Sequence, residues 1–137
     1  MNASASSPSA ASPPRILVID DDPAVRELLS AALARRGYHV TCAEEPEEAA
    51  TMLEYLDFDL LCVDLDLSGL NGLEGLGLIA EARARAPRLG IVVITGNPDP
   101  LVHDACRSRG ASGVHFKSGP LSELQARFNA LLQEGPR

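Results

Sequence analysis

The chain has few cysteines, fewer basic than acidic residues, and no long apolar stretch. The number of cysteines is odd, and the three residues lack the spacing of metal ligands: Cys42, Cys62 and Cys106. Because Cys62 lies in an apolar run, we expect buried free thiols in a reducing compartment, which favours a cytoplasmic protein. Nineteen acidic residues against twelve basic ones give a net charge of −7. This charge argues against non-specific binding to nucleic acid or to an anionic membrane.

The N-terminus lacks the features of a targeting segment. Residues 1–14 have no basic start and no apolar middle, so they do not resemble a signal peptide. No stretch reaches the ~18 apolar residues of a membrane span, and we predict no membrane insertion. The Ser/Ala/Pro-rich composition of 1–14 predicts a disordered leader. The remaining length suits one domain, predicted over 15–133, followed by a frayed tail over 134–137.

Short β-branched apolar runs alternate with amphipathic helical patterns. The predicted strands are 16–19, 38–42, 58–63, 91–94 and 114–116, and the predicted helices are 23–36, 46–56, 76–86, 100–109 and 120–133. Asp22 is expected to cap the first helix, and Gly37 to follow its end. This alternation predicts an α/β fold of the flavodoxin-like, doubly wound (βα)5 kind. The five-stranded parallel sheet would have the order 2-1-3-4-5, with helices on both faces.

Polar residues follow the strands that this order places side by side. Asp20, Asp21 and Asp22 end the first strand, and Asp64 ends the third, with Asp66 two residues further on. Thr95 ends the fourth strand and Lys117 ends the fifth. Because the carboxyl ends of parallel strands meet at one edge of the sheet, these side chains should gather there. Neighbouring strands lie about 4.7–4.9 Å apart, so Asp20 or Asp21 should lie close to Asp64.

Such a gathering of carboxylates predicts a cation site. Two carboxylates about 4 Å apart repel by about 4 kcal/mol at an effective dielectric constant of about 20, so the cluster needs a cation or a proton. Oxygen ligands suit Mg²⁺, which also keeps waters and binds phosphate oxygens. A lysine charge and a threonine hydroxyl suit phosphoryl oxygens. Carboxylate nucleophile, metal, lysine and hydroxyl together indicate phosphoryl chemistry.

Four segments then resemble a known family. ILVIDDDPAVRELL, DLLCVDLDLSG, IVVITG and GASGVHFK are similar, in order and spacing, to the response-regulator receiver domain of two-component signalling, over about residues 15–133. The resemblance implies that Asp64 accepts the phosphoryl group, while Thr95 and Lys117 contact it. It also implies an Mg²⁺ site in which Asp21 is a direct ligand beside Asp64. Asp20 would bind the ion mainly through water, and Asp66 through its main-chain carbonyl.

The same resemblance implies a signalling role. A histidine kinase or a histidine phosphotransfer protein would supply the phosphoryl group, and the domain would catalyse its own modification without being a turnover enzyme. The acyl phosphate would then change the surface at the fourth and fifth strands, where a downstream protein docks. The face made by the fourth helix, fifth strand and fifth helix could pair two copies of the chain. Since the chain stops one helix after the lysine, we expect no output domain, and signalling by protein contact or onward phosphotransfer.

Three places depart from the family pattern. The loop after Asp64 is about three residues longer than usual if Glu74-Gly75-Leu76 opens the third helix; Asn71-Gly72-Leu73 is the alternative alignment. Val114 stands where the family has an aromatic switch residue. Lys117 is followed by Ser118 and Gly119 rather than by a cis-proline, so we expect a trans and more mobile turn.

Two other interpretations stay open. A degenerate receiver could act as an unphosphorylated scaffold, as the departures above suggest. Alternatively, Asp64-Leu65-Asp66-Leu67-Ser68 resembles the first motif of haloacid-dehalogenase-type phosphatases, although that motif usually opens its fold and two strands precede it here. Outside a phosphatase, the Asp66 side chain is expected only to face solvent. Asn97 is either an ordinary turn residue or a residue that tunes hydrolysis.

Overall fold

The computed structural model describes residues 12–66 and 73–134. Most of the predicted leader, the segment 67–72 and the last three residues of the predicted tail lie outside this described part. The strands are β1 (Arg15–Ile19), β2 (His39–Ala43), β3 (Leu60–Asp64), β4 (Gly90–Thr95) and β5 (Gly113–Phe116). The helices are α1 (Pro23–Arg35), α2 (Pro46–Tyr55), α3 (Leu73–Arg85), α4 (Pro100–Arg109) and α5 (Leu121–Glu134).

All five strands form one parallel sheet in the order β2-β1-β3-β4-β5. This is the predicted order, and it confirms the flavodoxin-like fold. The register sets Ile19 opposite Val63, and Asp64 opposite Ile94. The residues that follow β1, β3 and β4 therefore emerge side by side at the carboxyl edge of the sheet.

The sheet is buried on both faces, which explains why its strands are apolar runs rather than alternating patterns. On one face, residues of α1 and α5 such as Phe128 pack over Ile16 and Cys62 of the sheet. On the other face, residues of α2, α3 and α4 such as Ile79 pack over Leu17 and Val63 of the sheet. All five residues of β3 are buried. A close-packed layer of helices on each face therefore fixes the position of the strands and of their carboxyl ends.

The ends of α1 and α4 are those that the local sequence predicts. The Asp22 carboxylate accepts a hydrogen bond of 2.9 Å from the Ala24 amide, and Pro23 opens α1. Gly37 follows the end of α1 with φ +93°, and Gly110 ends α4 with φ +119°. Both glycines adopt left-handed conformations, which side chains with a Cβ disfavour. The capped start of α1 lies directly beside the carboxyl edge of the sheet.

One helix begins earlier than predicted. The glycine-rich composition indicates a loop up to Gly75, but α3 begins at Leu73. Gly75 is part of this helix and is buried against the end of β3, where an added Cβ would lie 2.9 Å from Leu65 Cδ1. The glycine therefore permits close packing of α3 on the sheet rather than a turn. The longer loop predicted after Asp64 falls largely on residues outside the described part.

Two further observations bear on the predictions. In the described part of the chain, no helix is long and apolar enough to cross a membrane. The three cysteines are free; Cys62 and Cys106 are buried as expected, whereas Cys42 is only half-buried and lies 3.0 Å from the Ser30 hydroxyl. Burial raises the pKa of the Cys62 thiol, which makes it an inert core residue.

Candidate functional site

Three carboxylates meet at the carboxyl edge of the sheet. Asp20 and Asp21 follow β1, and Asp64 is the last residue of β3; each offers one oxygen, and these oxygens lie within 4.8 Å of one another. Asp20 and Asp64 are buried, whereas Asp21 is exposed. The hydrogen-bonded pairing of β1 with β3 explains this proximity between residues that are far apart in sequence.

Asp20 is held by the start of α1. The Asp22 amide donates a 2.9 Å hydrogen bond to Asp20 Oδ1, and Arg26 Nη1 donates a 2.7 Å bond to the Asp20 main-chain oxygen. Burial raises the pKa of Asp20 to about 6; the Asp22 amide opposes this shift, and the negative charge of Asp64 adds to it. The site therefore favours binding a proton or a cation.

Lys117, the only lysine of the chain, reaches this cluster from the far side of β4. Its ammonium nitrogen lies 3.1 Å from each Asp64 carboxylate oxygen and 3.6 Å from Asp66 Oδ2. Burial alone would lower the pKa of Lys117, but the hydrogen bond and charge of Asp64, with Asp66 and Asp20, raise it overall. The lysine is thus a fixed positive charge beside the buried carboxylate.

Asp66 does not simply face solvent. Its carboxylate accepts a 2.9 Å hydrogen bond from the buried Thr95 hydroxyl and a 2.7 Å bond from the Gly96 amide. The Asp66 amide donates to Asp64 Oδ1 at 2.9 Å. Sequence reasoning missed the side-chain contacts, although a carboxylate and a hydroxyl at the ends of adjacent strands were the available signal.

The structure thus brings together Asp20, Asp21, Asp64, Asp66, Thr95 and Lys117, the six residues selected from the sequence. Asp22 serves as the helix cap, as expected. The carboxylate cluster supplies only oxygen ligands, lies at one open edge, and includes a buried carboxyl whose pKa is raised. A hard divalent cation such as Mg²⁺ fits this donor set.

Two of the positions that depart from the family pattern lie in β5 and in the turn that follows it, and Asn97 lies in the turn after β4. Val114 packs in the core beside α4, whereas its neighbour His115 is buried on the opposite face, with Nδ1 3.6 Å from Glu123 Oε1. Among the described residues no peptide bond is cis, so the turn after Lys117 is trans, as expected. Asn97 shapes the turn after β4: its amide donates to Thr95 Oγ1, and its side-chain oxygen accepts from the Asp99 amide.

Comparison of the sequence with known proteins gives one consistent result. A family model described as the response regulator receiver domain matches residues 16–129. The chain is 38% identical over 123 residues to the transcriptional regulatory protein AruR of Pseudomonas aeruginosa, which covers 88% of this chain and 50% of that protein. It is 36% identical over 129 residues to the response regulator MprA of a Mycobacterium species, covering 90% and 55%. The chain therefore spans about half the length of these curated relatives.

Solved structures show the same likeness. A CheY-like receiver domain protein of Methanospirillum hungatei has a TM-score of 0.82 at 25% identity, covering 90% of this chain and 96% of that one. The response regulator TrrA of Thermotoga maritima, solved in complex with Mg²⁺-BeF, has a TM-score of 0.76 at 31% identity, covering 87% and 99%. Both likenesses extend over nearly all of the described residues.

Proposed function

The chain belongs to the response regulator receiver domain family, and we propose that Asp64 is the residue on which it accepts a phosphoryl group. Response regulators take this group from histidine kinases, so the donor would be a histidine kinase or a histidine phosphotransfer protein. One observation carries the assignment: both Asp64 oxygens contact the only lysine of the chain, beside the Asp20–Asp21 pair. No other carboxylate in the described part has both partners.

The transfer would proceed by attack of an Asp64 carboxylate oxygen on the phosphorus of a phosphohistidine. The new oxygen–phosphorus bond forms as the phosphorus–nitrogen bond breaks, and the departing imidazole nitrogen takes a proton. Lys117 would bind a phosphoryl oxygen through its ammonium group, and Thr95 would do so through its hydroxyl.

Receiver domains bind Mg²⁺ at an acidic pocket, and we assign that pocket here to four residues. Asp21 and Asp64 would hold the ion directly, Asp20 mainly through water, and Asp66 through its main-chain carbonyl. When bound, the ion supplies positive charge that neutralises the phosphoryl oxygens. Without it, the repulsion between Asp20 and Asp64 is only partly offset by Lys117.

The route by which the signal leaves the domain is also part of the proposal. We infer that the domain over 15–133 works in the cytoplasm and acts by protein contact or by onward phosphotransfer, without binding nucleic acid itself. The surface of α4, β5 and α5 is the candidate docking or dimer face. It exposes Leu101 on α4 to 75% and Phe116 on β5 to 40%. Such apolar exposure favours a protein partner.

The test is phosphorylation by a small acyl phosphate. The protein is incubated with the donor and Mg²⁺, and intact mass is measured for wild type, Asp64→Asn and Asp57→Asn. Asp57 is an exposed acid before β3, at the opposite edge of the sheet, and serves as the matched control. We expect one added phosphoryl group in wild type and Asp57→Asn, and none in Asp64→Asn or in chelator.

Other outcomes separate the alternatives. Wild type that takes no phosphoryl group from any donor would overturn the assignment and leave the scaffold interpretation. Equal labelling of Asp64→Asn would place the acceptor elsewhere. Continuous turnover of a phosphate ester, rather than labelling of one residue, would favour the phosphatase interpretation.

A further inference from the structure

The Asp66 carboxylate is surrounded by three donors of the kinds that bind phosphate oxygens. A hydroxyl comes from Thr95 at 2.9 Å, a backbone amide from Gly96 at 2.7 Å, and an ammonium group from Lys117 at 3.6 Å. Amide, hydroxyl and ammonium donors together make a local anion-binding set. In the structure, the anion that occupies this set is a side chain of the protein itself.

The same set borders the proposed phosphoryl acceptor. Lys117 bridges the carboxylates of Asp64 and Asp66, and the Asp66 amide is hydrogen-bonded to Asp64 Oδ1. A phosphoryl group on Asp64 would bring further negatively charged oxygens to this place. Thr95 is fully buried, and its hydroxyl has only one proton to donate, which it now gives to Asp66. The phosphoryl group and the Asp66 carboxylate therefore cannot both receive it.

We propose that Asp66 is an internal competitor of the phosphoryl group. Its carboxylate accepts hydrogen bonds from the Thr95 hydroxyl and the Gly96 amide in the unphosphorylated protein, and it must give up the Thr95 hydroxyl when Asp64 is phosphorylated. The proposal rests on the proposed function, because it assumes that the phosphoryl group is placed on Asp64. The Asp66 side chain is 36% exposed, so it can turn into solvent without unpacking the core.

This competition has two consequences. It weakens the net stabilisation of a phosphoryl group, or of its mimic, at Asp64. Part of the free energy of the new contacts is used to displace the Asp66 carboxylate. It also orients the Thr95 hydroxyl toward the site before phosphorylation, so that little movement of this residue remains to be made. Substitution of the side chain leaves the main-chain carbonyl of Asp66 in place, so metal binding through that carbonyl is retained.

The test compares Asp66→Ala with Asp66→Asn. Asp57→Ala is the control variant, because it also removes one acidic side chain but lies far from the site. Beryllofluoride with saturating Mg²⁺ is the phosphoryl mimic, and its dissociation constant is measured by titration. We expect Asp66→Ala to bind it about tenfold tighter than wild type, the scale of one charge-assisted hydrogen bond. Asp66→Asn should fall between the two, because its amide oxygen can keep one of the bonds. Asp57→Ala should match wild type.

A second measurement, in metal-free protein without the mimic, follows hydrogen exchange and the amide chemical shift of Gly96. Wild type should protect this amide, and Asp66→Ala should lose the protection while the rest of the amide spectrum shows an intact fold. Equal affinity gains in Asp66→Ala and Asp66→Asn would reduce the effect to charge alone and overturn the proposal. Unchanged or weaker mimic binding in Asp66→Ala would do the same.

Failure of the proposed function would look different. In that case neither wild type nor any variant would bind the mimic or take a phosphoryl group, although Gly96 would still be protected in wild type. If instead wild type is phosphorylated on Asp64 but the Asp66 variants bind the mimic with the affinity of wild type, the assignment of Asp64 stands and the competition is wrong.

Discussion

The Lys117 ammonium lies 3.1 Å from both oxygens of the Asp64 carboxylate, across 53 positions of sequence. The contact spans the end of β4, which lies between β3, where Asp64 is the last residue, and β5, which Lys117 directly follows. The lysine backbone is fixed there as well, since its amide donates to the Thr95 carbonyl at 2.8 Å. The long side chain thereby joins the end of β3 to the end of β5, the strand at the sheet edge.

This contact predicts the titration of the lysine. Asp64 is the main cause that raises the pKa of Lys117, so Asp64→Asn should lower the pKa of the ammonium group relative to wild type. Because the chain has one lysine, a single side-chain amine signal can be followed by NMR against pH in metal-free protein. Asp57→Asn is the control and should leave the titration unchanged. An identical curve in Asp64→Asn would show that the pair does not form in solution.

Removal of the lysine should separate folding from signalling. We expect Lys117→Ala to fold and to be labelled by an acyl phosphate, but to show a weaker response to the label. The response can be measured as phosphorylation-induced shifts of backbone amides in β4, β5 and α4. The physical reason is that the phosphoryl oxygens lose the group that ties them to the end of β5. Normal shifts in a normally labelled variant would argue against this role.

Asp21 should control metal affinity. It is the exposed member of the carboxylate cluster, so Asp21→Ala removes the proposed metal ligand without opening a cavity in the core. We expect the Mg²⁺ dissociation constant of the unphosphorylated protein to rise about tenfold or more. Asp22→Asn is the matched control, since asparagine keeps the helix cap while the charge is lost. If both variants raise the Mg²⁺ dissociation constant equally, the loss of negative charge rather than the loss of a ligand explains the effect.

Asp20 should make the metal-free protein less stable as pH rises. Its pKa is about 6 in the folded protein against 3.8 ordinarily, so between these values the folded state holds a proton that the unfolded state has released. The free energy of unfolding therefore falls across this window, by about 3 kcal/mol, and stays lower above it. Asp20→Asn should remove this fall in the free energy of unfolding, so in chelator at about pH 7.5 the variant should be more stable than wild type. At about pH 3.5 the two proteins should have nearly the same free energy of unfolding. Chemical denaturation at both pH values measures this; a variant less stable than wild type at about pH 7.5 would contradict it.

Arg83 should matter for stability far from the site. Its guanidinium donates to the Gly110 carbonyl at 2.9 and 3.0 Å, and to the carbonyls of Ala86 at 3.2 Å and Pro87 at 2.9 Å. Arg83→Ala removes these bonds, although the Ala86 carbonyl keeps a bond from the Leu89 amide at 3.1 Å, and it should cost about 2–3 kcal/mol of unfolding free energy. Arg85→Ala removes only an exposed pair with Glu81 and should cost less than about 0.5 kcal/mol. Equal losses in urea denaturation would show that the Arg83 bonds contribute little.

Much of this fold can be read from local sequence because its causes are local. The strands are uninterrupted apolar runs since the sheet is covered on both faces, and Asp22, Pro23 and Gly110 mark helix ends through their own backbone preferences. The gathering of Asp20, Asp64, Thr95 and Lys117 follows from the same pattern, because the carboxyl ends of parallel strands share one edge. The start of α3 could not be read this way. The sequence shows a glycine at position 75 but does not show whether it forms a loop or lets the helix pack closely on Leu65.

What the sequence by itself determined is the order of strands and helices and the edge at which the polar residues meet. What only the tertiary structure decided is how those residues divide their hydrogen bonds. Thr95 and Gly96 donate to Asp66, Lys117 contacts both oxygens of Asp64, and burial raises the pKa of Asp20. These properties depend on distances of a few ångströms and on the exclusion of water, which arise only when separate strands pack together.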